Sequence, residues 1–262
     1  MEQQSSQSSP LGRFAALTAG ATLFLILAGG FVTTTATGDS ISEWPMMWGR
    51  LTPGFPIEWT HRALAMVVSA MVGALAIWAC VAKSPVRGLA LAAFGAILAQ
   101  AALGGLRIYV PRAAVSIAHA CLAQVVFCLM ALIAFPPSRR PDRLGAATAA
   151  AVFLQLVAGA VTRHTGAGLI VHVMGAGLVL ALVTVFAARR GSRLLMGLLA
   201  AQIGLGLASW AIRSSGFVRS HEAPVVPIAT VTAHVALGAL VLATTVVLAM
   251  REPEPRLEAV PA

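Results

Sequence analysis

The sequence predicts an all-α membrane protein whose eight transmembrane helices form two pseudo-symmetric four-helix bundles. Of the 262 residues, 58% are hydrophobic and only 10% are charged, whereas a soluble domain carries about a quarter charged residues. Eight apolar segments each approach the roughly 20 residues that a helix needs to cross a bilayer. An internal repeat relates the first four segments to the last four.

The apolar segments are too long and too uniformly apolar for the alternating strands of a membrane barrel, so only helices are expected. The opening residues, MEQQSSQSSPLGR, lack the basic start of a signal peptide, and the first segment should therefore remain as a span. We expect residues 1–12 and 251–262 to be cytoplasmic tails, the first of them disordered. The predicted spans are 14–32, 59–82, 88–106, 113–135, 144–162, 168–188, 194–212 and 225–250.

The basic residues predict the orientation of the spans and exclude a nucleic-acid partner. With the N-terminus inside, eleven of the 18 Lys and Arg residues fall on the inner side and seven on the outer side. An excess of Lys and Arg in cytoplasmic loops is typical of membrane proteins, so both termini are expected in the cytoplasm and the protein in the inner (cytoplasmic) membrane. The net charge of +9 is spread between apolar runs rather than clustered, which favours a lipid bilayer as the partner and not nucleic acid.

The internal repeat divides the chain near its middle. AGGFVTTTATG (28–38) ends the first span, and AGAVTRHTGAG (158–168) ends the fifth. Although chance similarity in an Ala- and Gly-rich chain is an alternative, a second pattern recurs at the same depth of the odd-numbered spans. The pattern is Q-x-x-x-G, in Gln100/Gly104, Gln155/Gly159 and Gln202/Gly206, with Leu25/Gly29 in the first span. We therefore expect an N-terminal half at 13–140 and a C-terminal half at 141–250, joined by the loop PPSRRPDRLG (136–145).

Four histidines are the main functional candidates, because polar side chains are costly inside a membrane. Each even-numbered span carries one within about ten residues of its outer end, which places all four in the outer half of the bilayer. One explanation is hydrogen bonding between helices. The alternative is axial ligation, in which two imidazoles hold an iron porphyrin between facing helices. Zinc is less favoured because Cys and carboxylate partners are lacking, and a proton-relay transporter is a further alternative. The pairs are His61 with His119 and His172 with His234.

An acidic residue distinguishes the first histidine pair from the second. In PIEWTHRALAM (56–66), Glu58 lies three positions before His61 and shares its helix face, whereas Leu169 lies three positions before His172. We therefore expect chemistry at the first site and cofactor binding at the second. The long outer loop before Glu58 carries Trp44 and Trp48, which are either interface anchors or part of a lid.

The remaining ionisable and sulfur-bearing candidates receive weaker predictions. His164 and His221 are expected to be solvated loop histidines, and the neighbouring Arg163 and Arg219 are candidates to pair with porphyrin propionates. The three cysteines lie inside apolar runs, so no structural disulfide is expected. They are Cys80, Cys121 and Cys128.

Taken together, these motifs resemble the heme A synthase family. The resemblance covers about residues 13–250 and is carried by GGFVTTTATG, SEWP, EWTHR, SIAHACLAQ, GAVTRHTGAGLIVH and VTAHVALGAL. The family carries out the oxidation of a heme O methyl group to a formyl group through successive hydroxylations, with electrons from a donor of unknown identity. The resemblance implies a bound heme b ligated by His172 and His234, a substrate heme O flanked by His61 and His119, and Glu58 as the catalytic carboxylate.

One departure from the family pattern leaves a second interpretation open. Some bacterial members carry cysteine pairs in their outer loops, but this chain has Ser40 and Met47 there. The alternative is a heme b-binding electron-transfer or oxidase-assembly protein without synthase activity, although Glu58 favours the enzyme. Heme O synthase and oxidase-assembly proteins are the implied partners, and a homo-oligomer is left open.

Overall fold

A computed structural model describes residues 9–38, 40–41, 43–44, 54–110, 112–214 and 225–252. Within these residues the chain forms eight α-helices and no β-strand. All eight are long and apolar enough to cross a membrane, which confirms the predicted fold class of a multi-pass membrane protein. They are α1 (Pro10–Thr34), α2 (Phe55–Val81), α3 (Arg87–Tyr109), α4 (Ala113–Ala134), α5 (Arg143–Thr165), α6 (Leu169–Arg190), α7 (Arg193–Ser214) and α8 (Val225–Ala249).

Polar capping residues extend the helices beyond their apolar segments. Helix α1 begins at Pro10 rather than at residue 14, because Ser9 accepts a hydrogen bond from the Gly12 amide at 3.1 Å and proline suits the first helical position. Helix α2 begins at Phe55 rather than at residue 59, with a proline and the acidic Glu58 in its first turn. A prediction from hydropathy alone therefore places the starts of these helices too late.

Tight turns make successive helices antiparallel. The α5–α6 turn contains Gly166 and Gly168 with φ of 73° and 82°, and Gly191 at the α6–α7 turn has φ of 65°. Glycine adopts this left-handed conformation without the strain that a Cβ would cause. The odd-numbered helices therefore end, and the even-numbered helices begin, at the same end of the bundle, which we call the histidine end.

The helices pack in two rings of four. Helices α1 to α4 contact one another in sequence and α4 returns to α1, while α5 to α8 do the same and α8 returns to α5. Between the rings, α1 contacts α8, α4 contacts α5, and α4 contacts α8. Exchanging α1 with α5 and α4 with α8 reproduces this set of contacts. We propose that the rings, called here the N ring and the C ring, are the functional halves 13–140 and 141–250.

The apolar side chains are distributed as expected for a bundle in lipid. Fully buried clusters fill each ring, around Leu75 in the N ring and Phe186 in the C ring, and a third cluster that includes Phe127 joins the rings. Large apolar side chains also face outward, for example Ile170 at 75% and Met174 at 73% exposed. Such continuous exposed apolar surface requires hydrocarbon as the surrounding solvent.

Asp142 caps α5 at the junction between the rings. Its Oδ1 accepts a hydrogen bond from the Gly145 amide at 2.7 Å, and its Oδ2 pairs with Arg139 at 3.1 Å. The hydrogen bond from the Gly145 amide lowers the pKa of the Asp142 carboxyl below its usual value.

We expect Asp142→Ala to lower the free energy of unfolding by about 1 kcal/mol, because the first turn of α5 loses its side-chain acceptor. Titration of the purified protein with SDS measures this change. Asp142→Asn keeps an acceptor oxygen and should retain most of the stability. Equal losses in both variants would instead assign the effect to the ion pair with Arg139.

Candidate functional site

The four predicted histidines lie at the same end of the bundle. His61, His119, His172 and His234 stand between three and nine residues after the first residue of α2, α4, α6 and α8, respectively. All four side chains are half-buried. In the contact order of each ring, the two histidine-bearing helices are diagonal to one another. Each pair therefore faces across the interior of its ring.

Each imidazole lies against a glycine of the preceding odd-numbered helix. A Cβ placed on any of these glycines would lie closer to the histidine Cε1 than ordinary van der Waals contact, so the imidazole would have to shift to admit it. This contact explains the glycine of the Q-x-x-x-G pattern. The distances from such a Cβ to Cε1 are 2.9 Å for Gly29 and His61, 3.3 Å for Gly104 and His119, 3.0 Å for Gly159 and His172, and 3.1 Å for Gly206 and His234.

The two imidazoles of the C ring are close and are held by glutamines. The ring centroids of His172 and His234 are 6.4 Å apart, with the ring planes at 83°. Gln155 Nε2 donates to the main-chain oxygen of His172 at 2.7 Å and lies 3.1 Å from its Nδ1. His234 Nδ1 donates to the main-chain oxygen of Gln202 at 3.1 Å, and Gln202 Nε2 lies 3.4 Å from His234 Nε2.

The imidazoles of the N ring lack such partners. Gln100 Nε2 donates to the main-chain oxygen of His119 at 3.0 Å but not to its imidazole. Leu25 occupies the place of the glutamine opposite His61. The Nδ1 atoms of His61 and His119 are both buried without a hydrogen-bond partner among the described residues. Sequence reasoning recognised the glutamines as a repeat but missed that they contact the histidines.

Glu58 is engaged with its own loop rather than with an imidazole. The residue is buried at 4% exposure. Its Oε2 accepts from the Ile41 amide at 2.9 Å, and its Oε1 accepts from Arg62 Nη2 at 2.6 Å. Arg62 also donates to the main-chain oxygens of Ile41 and Glu43. Within the described part of the chain no hydrogen bond joins Glu58 to His61, although the pair shares a helix face.

The described part of the first long loop joins the histidine ends of three helices. Gly38 lies against Arg107 of α3, and the Trp44 ring lies on Gly105 of the same helix, so close that a Cβ on Gly105 would be 2.8 Å from Trp44 Cδ2. Ile41 is hydrogen-bonded to Glu58 of α2. Trp48, which the sequence predicts to be either an interface anchor or part of a lid, lies outside the described residues, as does Met47.

A cavity of about 450 Å³ reaches the N ring from the lipid-facing side. Its apolar lining comes mainly from α1 and α2, with one residue from α8. Two of its phenylalanines are well exposed, Phe24 at 58% and Phe31 at 40%. His61 is therefore accessible from the membrane face of the bundle. The lining residues are Phe24, Leu27, Ala28, Phe31, Pro56, Ile57, Thr60, His61 and Thr232.

Arg163 and His164 lie in the last turn of α5. The expectation of a loop position for His164 is therefore wrong, because helix α5 continues past its apolar segment. Arg163 Nη2 crosses to the N ring, where it donates to the Gly30 oxygen at 2.7 Å and to Thr34 Oγ1 at 2.6 Å. His221 and Arg219 lie outside the described residues.

In the described residues, the candidate metal-binding histidines occur as two separate pairs. No group of three or more His, Cys, Asp or Glu side chains in these ranges could hold a metal ion. The three cysteines are free. Any metal bound by these histidines alone would have two protein ligands, which suits a porphyrin iron because the macrocycle supplies the other four.

The fold and the site together define a multi-pass membrane protein with two histidine pairs near one face of the bilayer. Part of the chain is 33% identical over 103 residues to a protein named heme A synthase from Exiguobacterium sibiricum, a match covering 36% of this chain and 35% of that protein. Heme A synthases from a second Exiguobacterium strain and from Alkalihalophilus pseudofirmus are 33% and 31% identical over 91 residues each, covering 30% and 31% of their lengths.

These matches establish a distant and partial similarity to heme A synthases. The chain spans about a third of the length of the curated relatives it matches. No protein-family model matches the chain.

The glycine contacts predict a position-specific effect of a single methyl group. We expect Gly206→Ala to unfold more easily in SDS than Gly204→Ala, by about 1–3 kcal/mol, because its Cβ must displace His234 in a packed interior. Gly204 is a matched control on the same helix, since no atom lies within 4 Å of a Cβ placed there. Equal stabilities of the two variants would contradict the close contact between α7 and His234.

Proposed function

We propose that this protein is an oxidoreductase of heme A biosynthesis, which converts a methyl group of heme O to a formyl group. The observation that carries the proposal is the histidine pair of the C ring, two imidazoles with centroids 6.4 Å apart across a helical ring. The partial similarity to proteins named heme A synthase supports the same activity. The expected location is the inner membrane, with both termini in the cytoplasm.

The spacing of the C-ring pair fits a heme iron. A metal–imidazole bond is about 2 Å long and the ring centre lies about 1 Å behind the nitrogen, so two imidazoles that held one metal ion between them would have centroids about 6 Å apart. The observed 6.4 Å agrees with this spacing. The glycine beside each ring lets the imidazole pack closely against the neighbouring helix. His172 and His234 are thus the proposed ligands of a resident heme b.

The N ring is the proposed site of the substrate heme O. His61 and His119 stand on diagonal helices like the C-ring pair, and each lies against a glycine. The lipid-facing cavity that includes His61 in its lining supports access for an apolar substrate from the bilayer. The Nδ1 atoms of His61 and His119 are buried without a hydrogen-bond partner among the described residues. Because buried polar atoms normally have a partner, this supports the binding of a further group at the N-ring pair.

The chain contributes orientation, charge and water exclusion to the proposed reaction. When bound, heme b would supply one-electron transfer. His172 and His234 hold that cofactor, and His61 and His119 orient the substrate. Glu58 is the proposed catalytic carboxylate, as a positioned base or as a negative charge near a developing cation. The hydrogen bonds from Ile41 and Arg62 keep its carboxylate in one orientation.

A second candidate function is favoured by the same hydrogen bonds. Both Glu58 oxygens are engaged in fastening the first long loop to α2, which a structural role alone would explain. On this alternative the protein binds heme b for electron transfer or oxidase assembly and has no synthase activity. Its partners would be oxidase-assembly proteins, whereas a synthase would act together with heme O synthase.

The purified protein is expected to show a Soret band and the spectrum of a low-spin heme b. His172→Ala and His234→Ala should abolish the low-spin spectrum, because each removes one axial ligand, whereas His61→Ala should spare it. Absorbance spectra of oxidised and reduced protein measure these changes. A wild-type sample that binds no heme, even after addition of hemin, would contradict both candidate functions.

Co-expression with a heme O synthase separates the two candidates through the role of Glu58. We expect heme A in extracts of cells with the wild-type chain, and a loss of roughly 10²–10⁴-fold in its rate of formation for Glu58→Gln, in the range typical of general acid–base catalysis. Chromatography of extracted hemes measures the yield. Arg62→Gln removes the other half of the loop contact but leaves the carboxylate, and should retain more activity. Equal yields of Glu58→Gln and wild type would show that Glu58 is not catalytic.

A further inference from the structure

We propose that the end of the C ring opposite its histidines binds an anionic phospholipid, whose phosphate is held by arginines near the α6–α7 turn and whose acyl chain lies along α6. The observation behind this inference is a difference in charge between two rings whose helix contacts correspond. The surface lies away from the histidine pairs, and the inference does not depend on the proposed function.

Basic residues at this end of the bundle are concentrated on the C ring. Within the described chain the C ring carries seven arginines here against two carboxylates, Asp142 and Glu252, whereas the N ring carries only Arg13, Lys83 and Arg87. Orienting the spans by positive charge would be served by basic residues on either ring, so it does not explain their concentration on one. The seven, called here the arginine end, are Arg139, Arg140, Arg143, Arg189, Arg190, Arg193 and Arg251.

Arg190 lies across the arginine end and links α6 to α8. Its Nη2 donates to the main-chain oxygens of Leu248 and of Arg251, the latter at 2.9 Å. Its guanidinium carbon lies 5.6 Å from the centre of the Phe186 ring. These contacts join neutral groups to the guanidinium and leave its charge uncompensated.

The loop between the rings brings a second guanidinium to the same place. The Arg139 amide donates to the Met250 oxygen at 3.2 Å, and its side chain pairs with Asp142 at 3.1 Å. Hydrogen bonds from the Gly145 amide and from Arg139 are the main causes of the lowered pKa of the Asp142 carboxyl, and the charge of Arg190 adds to them. One carboxylate therefore serves two guanidiniums, and the arginine end keeps a net positive charge.

The exposed arginines stand directly above an apolar helix face. Arg189 and Arg193 flank the α6–α7 turn, and both are exposed. Val185, 46% exposed, precedes Arg189 by four residues, and Leu178, 59% exposed, precedes Val185 by seven. These spacings place the three side chains of α6 on one face. A cation followed by exposed apolar side chains suits a phosphate joined to an acyl chain better than it suits a soluble anion.

The position and chemistry of the arginine end agree with a lipid headgroup. Helix α6 has 22 residues and is about 33 Å long, close to the thickness of the hydrocarbon core. Its last residues therefore reach the headgroup level. Guanidinium matches the geometry of phosphate oxygens, and basic pockets between transmembrane helices bind anionic headgroups.

The test measures lipid binding to the purified full chain in detergent. The protein is titrated with phosphatidylglycerol or with phosphatidylcholine, and bound lipid is counted by native mass spectrometry. We expect phosphatidylglycerol to bind more tightly. Arg189→Gln/Arg193→Gln should weaken its binding by roughly 25-fold, at about 5-fold for each arginine, and leave phosphatidylcholine binding unchanged. Each single variant should show about a 5-fold loss.

The corresponding turn of the N ring provides a matched control. Lys83→Gln/Arg87→Gln removes the same charge from two exposed residues at the α2–α3 turn and should leave the affinity for phosphatidylglycerol unchanged. Circular dichroism and unfolding in SDS check that both double variants fold like the wild type.

Four results would overturn the inference. Equal affinity of the wild type for the two lipids would show that the arginine end selects no anionic headgroup. Undiminished binding of phosphatidylglycerol by Arg189→Gln/Arg193→Gln would place its site elsewhere. Equal losses in the two double variants would assign the binding to diffuse charge on this side of the protein. Displacement of the lipid by sodium phosphate at the same concentration would instead identify a site for free phosphate.

Discussion

The close contact between an imidazole and a glycine across two helices is the constraint on which the rest of the site depends. At all four positions a Cβ on the glycine would lie within 3.3 Å of the histidine ring. Helices in a membrane associate through close packing and interhelical hydrogen bonds, because lipid removes the hydrophobic drive between them. The same small residue that lets α7 approach α8 therefore also determines where His234 points. In this protein the same glycine–histidine contacts therefore affect both the packing of the helices and the geometry of the site.

The two histidine pairs pack against glycines in the same way, but they differ in their hydrogen bonds. A buried polar group without a partner is costly, and the C ring meets this cost with Gln155 and Gln202. In the N ring, two imidazole nitrogens have no hydrogen-bond partner among the described residues. An unpaired group in such surroundings favours binding of a ligand that can complete it. The two rings thus have corresponding helix contacts, and they differ in a few residues of the odd-numbered helices, such as Leu25 in place of a glutamine.

Several features were predictable from sequence because they follow from local composition. Apolar length identified all eight helices, and only their polar caps, such as Ser9 before α1, extended the boundaries. The histidines could be singled out because ionisable residues are rare in spans. The Q-x-x-x-G repeat was also visible in the sequence, but its contacts with the histidines were not. Nothing in the spacing of Gln155 and Gly159 says that both face a histidine of the next helix.

Glu58 shows the limit of helix periodicity most clearly. A spacing of three residues correctly puts it on the same face as His61, yet its carboxylate bonds to Ile41, 17 residues earlier in the chain, and to Arg62. Periodicity describes one helix and carries no information about the loop that folds back on it.

The sequence by itself determined the helices, their antiparallel succession and the residues that are costly to bury, because each depends on composition and short-range geometry. Only the tertiary structure decided which atoms meet. It brought the ring centroids of His172 and His234 to 6.4 Å and placed the side-chain amides of Gln155 and Gln202 beside those imidazoles. It also tied Arg163 of one ring to Gly30 of the other. Those contacts join residues far apart in the chain, and the packing of whole helices sets their distances.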